Sequence, residues 1–187
     1  MPNHCANRLT VIGPAEDIKK FKERAQNGKN VLDMFKFYPS VKELEDIHHG
    51  ACIINGKDVD SWRETKNEKG ETVNVPISKK EQEHLFAKFG ATNLYDYCRK
   101  TFGTQWGIYD SLLEKNQKNK LVYFYHTAWS PLGLQVFKRL KDLFPKLEFL
   151  VEYAERGLGF AGRMVNGNEE ELSLNDAAVA DLVEQSG

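Results

Sequence analysis

Apolar and polar positions change their period several times along the chain, and each change marks an element. Residues 106–113 and 121–129 are two β-rich runs joined by the polar stretch 114–120, a hairpin loop too charged to bury. Leu132, Val136, Phe137, Leu140, Leu143 and Phe144 then recur at helical spacing, with Lys138, Arg139, Lys141 and Asp142 filling the other side. Ser130-Pro131 is placed to open that helix, serine as the cap and proline in the first turn, and Pro145 stops it. Leu147, Phe149, Val151 and Tyr153 alternate with Glu148 and Glu152, which predicts a strand. Gly157 and Gly159 turn the chain into one more, Phe160–Val165.

The beginning of the chain supplies the missing half of this pattern. Residues 7–12 form a strand with apolar residues on both faces, so it is covered on both sides. Gly13-Pro14 breaks it and starts a helix to about Gln26, with Ile18, Phe21 and Ala25 inward. The order β-α-β-β-α-β predicts an α+β fold: a ferredoxin-like split β-α-β antiparallel sheet with both helices on one face. Its core is expected in residues 1–28 and 104–167 of a single domain.

Residues 29–103 are too long for an ordinary connection. Ser40-Val41-Lys42-Glu43 and Ser78-Lys79-Lys80-Glu81 are capping boxes, the second followed by Leu85, Phe86 and Phe89 and a stop at Gly90. Thr92-Asn93 caps a helix from Leu94 to Phe102. The segment therefore reads as a largely helical insertion whose apolar faces cover the open face of the sheet, with 58–75 exposed and mobile. Asn166-Gly167-Asn168 is a turn, and 168–187 is an acidic tail containing a helix at 173–184 with Leu174, Ala178 and Leu182 as its stripe.

Composition narrows the class without naming an activity. At 41% hydrophobic the chain is too apolar for global disorder, and its apolar runs are too short to span a bilayer. Met1-Pro2-Asn3-His4 does not read as a signal peptide, and three widely spaced cysteines suit a reducing compartment, so a cytoplasmic location is expected. The net charge of −1 divides into −6 on residues 166–187 and +5 on the rest, a mildly basic body with an acidic tail.

No constellation announces a reaction. His48-His49 with Cys52, or His4-Cys5, lacks the paired spacing of a zinc site, so no metal and no cofactor is expected. Cys98 and His126 form a conceivable nucleophile and base, but Cys98 shares an inward face with Leu94, where thiols are inert. Glu152 and Glu155 read as a solvated strand face, and Gly157-Leu158-Gly159 is followed by a strand, not the helix a phosphate loop needs. Trp106 and Trp129 are expected in the core. The aromatic run 121–126 invites comparison with RNA-recognition sheets, although the basic–Gly–aromatic opening of their signature is missing. The outward faces of the two core helices, Lys19, Lys20, Lys22 and Arg24 with Lys138, Arg139 and Lys141, would form one positive surface on the same side of the sheet.

Several of these segments together resemble the YubB-like proteins of plasmids and phages. They are Met1-Pro2-Asn3-His4 with Asn7-Arg8-Leu9, Leu94-Tyr95-Asp96-Tyr97-Cys98, and Phe102-Gly103-Thr104-Gln105-Trp106. Thr127-Ala128-Trp129-Ser130-Pro131, Tyr153-Ala154-Glu155-Arg156-Gly157 and Phe160-Ala161-Gly162 complete the set. The resemblance implies a ferredoxin-like C-terminal domain and a mobile-element context, which makes that cytoplasm a bacterial host cell's, and it supplies no mechanism. The expected function is that of a non-enzymatic accessory protein binding a macromolecular partner, namely a host or defence protein. The alternative is a nucleic-acid binder using Lys19, Lys20, Lys22, Arg24, Lys138, Arg139 and Lys141. No membrane contact is expected.

Overall fold

The structure, a computed structural model, describes residues 3–186. They form β1 (His4–Ile12), α1 (Ala15–Ala25), a 3-10 turn (Met34–Phe37), α2 (Lys42–Glu45), β2 (His48–Ile54), β3 (Lys57–Lys66), β4 (Thr72–Pro76), α3 (Lys79–Phe89) and α4 (Leu94–Phe102). There follow β5 (Tyr109–Gln117), β6 (Lys120–Ala128), α5 (Leu134–Leu143), β7 (Glu148–Glu155), β8 (Phe160–Val165), β9 (Asn168–Leu172) and α6 (Ala180–Gln185). The fold is mixed α and β with antiparallel sheets. The chain divides into two compact units, Met1–Pro39 with Thr101–Gly187, and Ser40–Lys100. Met1 and Pro2 of the opening motif lie outside the described residues. No helix among the described residues is long and apolar enough to cross a membrane.

The first unit is built on a six-stranded sheet in the order β5-β6-β1-β7-β8-β9. β1 is central because it can be buried on both sides: Cys5, Ala6, Asn7, Leu9, Thr10 and Val11 are all buried. It pairs antiparallel with β6 and with β7, Leu9 lying opposite Tyr123 on one side and Val151 on the other. The core on this face gathers around Phe21 of α1. Its ring stacks on Phe37 at 5.2 Å and meets Phe144 edge-on at 5.4 Å, with Phe149 at 5.7 Å. Residues 29–39 thus belong to this unit, not to the insertion, because the 3-10 turn buries Met34 and Phe37 in that core.

Three boundaries in this unit differ from the pattern reading. β5 and β6 run on through the charged stretch to a two-residue turn at Lys118-Asn119, since a strand at the sheet edge keeps its charges in water. α5 begins at Leu134 with Gly133 as its cap, so Ser130 is no N-cap; its hydroxyl donates to Gly103 O at 3.0 Å. The acidic tail opens with a strand. Asn166 and Gly167 both have positive φ (48° and 89°), the conformation of a tight hairpin turn, and β9 pairs with β8. Side-chain bonds to its glutamates hold it: Arg163 Nε of β8 donates to Glu170 at 2.8 Å, and Tyr153 Oη of β7 to Glu169 at 2.6 Å. The helix expected at 173–184 is correspondingly short, α6 alone.

The second unit is not largely helical. It holds a three-stranded antiparallel sheet, β2-β3-β4, with α2, α3 and most of α4. The β2–β3 turn is Asn55-Gly56, again with positive φ at both positions (52° and 75°). The stretch 58–75 expected to be mobile is β3 and β4, laddered from Trp62↔Pro76 to Lys66↔Thr72. Ser78 caps α3 by accepting from Glu81 N, and Gly90 ends it in the left-handed conformation. Asn93 accepts from Asp96 N at the start of α4. The first capping box does not form: α2 is a single turn entered at Val41 without a side-chain cap.

Candidate functional site

The seven basic residues on the helix faces divide by what their heads do. Arg24 Nε donates to Lys36 O at 3.0 Å and Arg139 Nε to Phe37 O at 3.2 Å, so both guanidinium groups grip the 3-10 turn. Each also lies over an aromatic ring there, Arg24 over Phe37 and Arg139 over Tyr38. Lys141 Nζ donates to Leu147 O at 2.8 Å, and Lys19 lies 4.0 Å from Glu23 one turn on. Lys20 and Lys138 point to solvent, and Lys22 shares with Lys19 and Lys118 a shallow cleft of about 400 Å³. Three of the seven therefore spend their donors on main-chain carbonyls.

A second set of residues converges at one end of the six-stranded sheet. Asn7, fully buried, donates to Cys5 O at 2.7 Å and to Thr127 Oγ1 at 2.9 Å, and Thr127 Oγ1 donates to Ser130 O at 2.7 Å. Thr104 Oγ1 and Ser130 N both donate to Ala128 O, at 3.0 and 2.8 Å. The second of these bonds closes a γ-turn around Trp129, whose φ of 62° is the strained sense for a bulky side chain. Trp129 N donates to Asn3 O at 3.0 Å. The strained turn is thus held from two other segments, 3–7 and 103–104, as well as by its own Thr127.

The two tryptophans are not core residues. Trp106 is half exposed, and its ring lies 6.1 Å from that of Trp129, tilted by 42°. The core expectation fails because Gly103 and Gly107, both at positive φ, turn the 103–107 segment so that Thr104 is buried and Trp106 faces out. Nearby, Glu155 is fully buried and its carboxylate accepts from Gly157 N (2.8 Å) and Leu158 N, so it shapes a turn and is not part of a solvated strand face. A Cβ on Gly157 would meet Asn3 Nδ2 at 2.5 Å, which ties this turn to the same corner.

The other titratable candidates are occupied or buried. Burial pushes the thiols of Cys5 and Cys98 up to about 12, which leaves both neutral. Alkylation of the folded protein near pH 8 is therefore expected to label Cys52 alone, read by intact mass, with Cys5 and Cys98 reacting only after denaturation. Tyr109 Oη shares a hydrogen bond of 2.8 Å with His4 Nδ1 and stacks on His126; burial, with Asp110 and Cys5, lifts its pKa to about 12. His48 stacks on Trp62 and His49 on Tyr95. Among the described residues, no three His, Cys, Asp or Glu side chains are grouped to hold a metal ion.

The open face of the sheet carries charges that pattern reading passed over. Arg8 holds Glu114 at 3.0 Å through Nε and Asp181 of α6 through both terminal nitrogens. The hydrogen bonds from Arg8 hold the Asp181 carboxyl below its ordinary range, while burial raises that of Glu152. Within this unit the face is covered by α6 and the residue before it: Val179 and Leu182 are buried against Ala6, Phe124, Ala154 and Ala161. A lone arginine inside an apolar strand was the available signal.

Comparison with known proteins agrees with this architecture. The fold is similar to the crystal structure of a protein api92 from Yersinia pseudotuberculosis, with a TM-score of 0.53 at 10% identity, over 94% of this chain and 100% of that one. No curated protein matches the chain. Residues 108–181, which carry Trp129, α5 and the strands from β5 to β9, match the family profile of the ferredoxin-like domain in Api92-like protein.

Proposed function

We propose that this chain is a non-enzymatic binding protein that engages a protein partner through the corner presenting Trp106 and Trp129. The observation that carries the reading is the strained γ-turn at Trp129, held by residues 3–7 and 103–104 beside a half-exposed Trp106. Backbone strain of this kind costs about 1–3 kcal/mol and persists where the surroundings over-determine it, a pattern concentrated at binding sites. Large rigid aromatics are also the commonest anchors of protein interfaces. The strand order β5-β6-β1-β7, in which α1 leads from β1 towards β5 and α5 from β6 to β7, each across one intervening strand, supports the split β-α-β arrangement as the scaffold. The quoted motifs support kinship with YubB-like proteins, and with it an accessory role for a phage or plasmid inside the bacterial cytoplasm.

Nucleic-acid binding on the helix faces is the second reading, supported by the cleft that Lys19, Lys22 and Lys118 share. Trp106→Ala separates the two. The ring is half exposed, so the variant should melt within about 0.5 kcal/mol of the parent, as surface substitutions do. It should nevertheless lose partner capture from a nuclease-treated host lysate. Capture that survives in Trp106→Ala, or that vanishes on nuclease treatment of the parent, overturns the protein-binding reading at this corner.

A further inference from the structure

Residues paired across antiparallel strands point to the same side, so the open face of the sheet is ruled in rows. One row runs His126, Ala6, Ala154, Ala161, Leu172; the next runs Phe124, Arg8, Glu152, Arg163, Glu170. Three alanines side by side lower the floor, and α6 lies in the trough they make, with Val179 and Leu182 fully buried. Its polar latches lie around that trough. Asp181 takes two hydrogen bonds from Arg8, Gln185 O accepts from His126 Nε2 at 3.1 Å, and Ser186 Oγ accepts from Arg156 N at 3.0 Å.

The occupant is weaker than the site. α6 has six residues and no side-chain cap, and residues 173–179 before it form neither strand nor helix. A helix this short does not persist alone in water, so the face imposes its conformation. What the face selects is legible in the occupant: apolar residues at 179, 182 and 183, and a carboxylate at 181 for Arg8. We propose that this face is a binding site for an acidic amphipathic helical segment of a protein partner, and that residues 173–186 are a built-in occupant which such a segment displaces. A competing segment must supply what the tail supplies, namely a carboxylate for Arg8 and two or three apolar residues at helical spacing. The site shares no residue with the Trp106–Trp129 corner.

The test uses the full chain and a fluorescent synthetic peptide of residues 173–187. Asp181→Asn weakens the main latch; that side chain is half exposed, so the core stays closed. The variant is expected to bind the peptide roughly tenfold more tightly than the parent, because its tethered tail competes less effectively. Arg8→Gln in the same chain, or the peptide in scrambled order, should abolish capture, while Trp106→Ala should leave it unchanged. Hydrogen exchange at 180–185 reports whether the tail is loosened, and Leu182→Ala is added if Asp181→Asn alone leaves it protected. The parent at saturating peptide gives an independent reading, in which exchange at 180–185 must rise. A loosened tail without capture, equal capture of the scrambled peptide, protection at 180–185 unmoved by saturating peptide, or concentration-dependent dimers in place of peptide binding would each overturn the proposal.

Discussion

Phe21→Ala should lower the stability of the protein by about 3–5 kcal/mol, the cost of removing a large aromatic from a core. Phe21 has no exposed surface, and its neighbours come from different places in the chain: Phe37 follows α1, Tyr123 sits on β6, Phe144 ends α5 and Phe149 lies on β7. Because those rings are fixed by separate elements, they cannot close together over the space the side chain leaves. Against a total of about 5–15 kcal/mol for a typical domain, such a loss is a large fraction. Urea unfolding should show a lower midpoint with an unchanged slope. A loss under about 1 kcal/mol would mean that the core is centred elsewhere.

Asn7→Asp should be nearly as costly at neutral pH and should recover in acid. The parent side chain is fully buried and gives its two amide hydrogens to Cys5 O and Thr127 Oγ1. A carboxylate there faces a carbonyl oxygen and has no counter-ion, a loss of about 2–4 kcal/mol for an unsatisfied buried charge. Burial raises the carboxyl's folded-state pKa above its unfolded value of about 3.9. Between those two values the folded state binds more protons than the unfolded, so stability falls as pH rises. The variant should therefore lie far below the parent at about pH 7 and closer to it at about pH 5. A gap of constant size would show the site to be wet. Since Thr127 helps hold the Trp129 turn, the tryptophan emission of the folded variant should shift as well.

What the sequence revealed followed burial. The core strands and helices alternate cleanly because one side of each is packed, and Ser78 and Asn93 are caps in fact as in pattern. Residues 48–76 gave no such alternation, since most of β2, β3 and β4 is exposed or half-buried and the strands are marked chiefly by their turns. Asn55-Gly56 was the legible sign there. β9, Asn-Glu-Glu-Glu-Leu, has almost no strand propensity; it forms because Arg163 and Tyr153 offer partners for its glutamates. Ser130-Pro131 looked like a helix start because local chemistry cannot display the long-range bonds that draw residues 127–130 into a γ-turn instead. Trp106 was misplaced for a related reason: hydrophobicity ranks a tryptophan as buried, whereas positive-φ glycines on either side decide which way it faces.

The central place of β1 sets the order in which this protein can be assembled. β1 precedes both of its partners by a long stretch of chain: β6 lies more than a hundred residues downstream, and β7 is complete only at Glu155. At roughly 5–20 residues per second, β1 leaves the ribosome several seconds or more before either neighbour exists. During that interval Ser40–Lys100, whose strands pair only with their neighbours in sequence, can complete its own hairpins and helices. The six-stranded sheet therefore closes only after Glu155 has emerged, and α6, which follows in the chain, covers its open face later still.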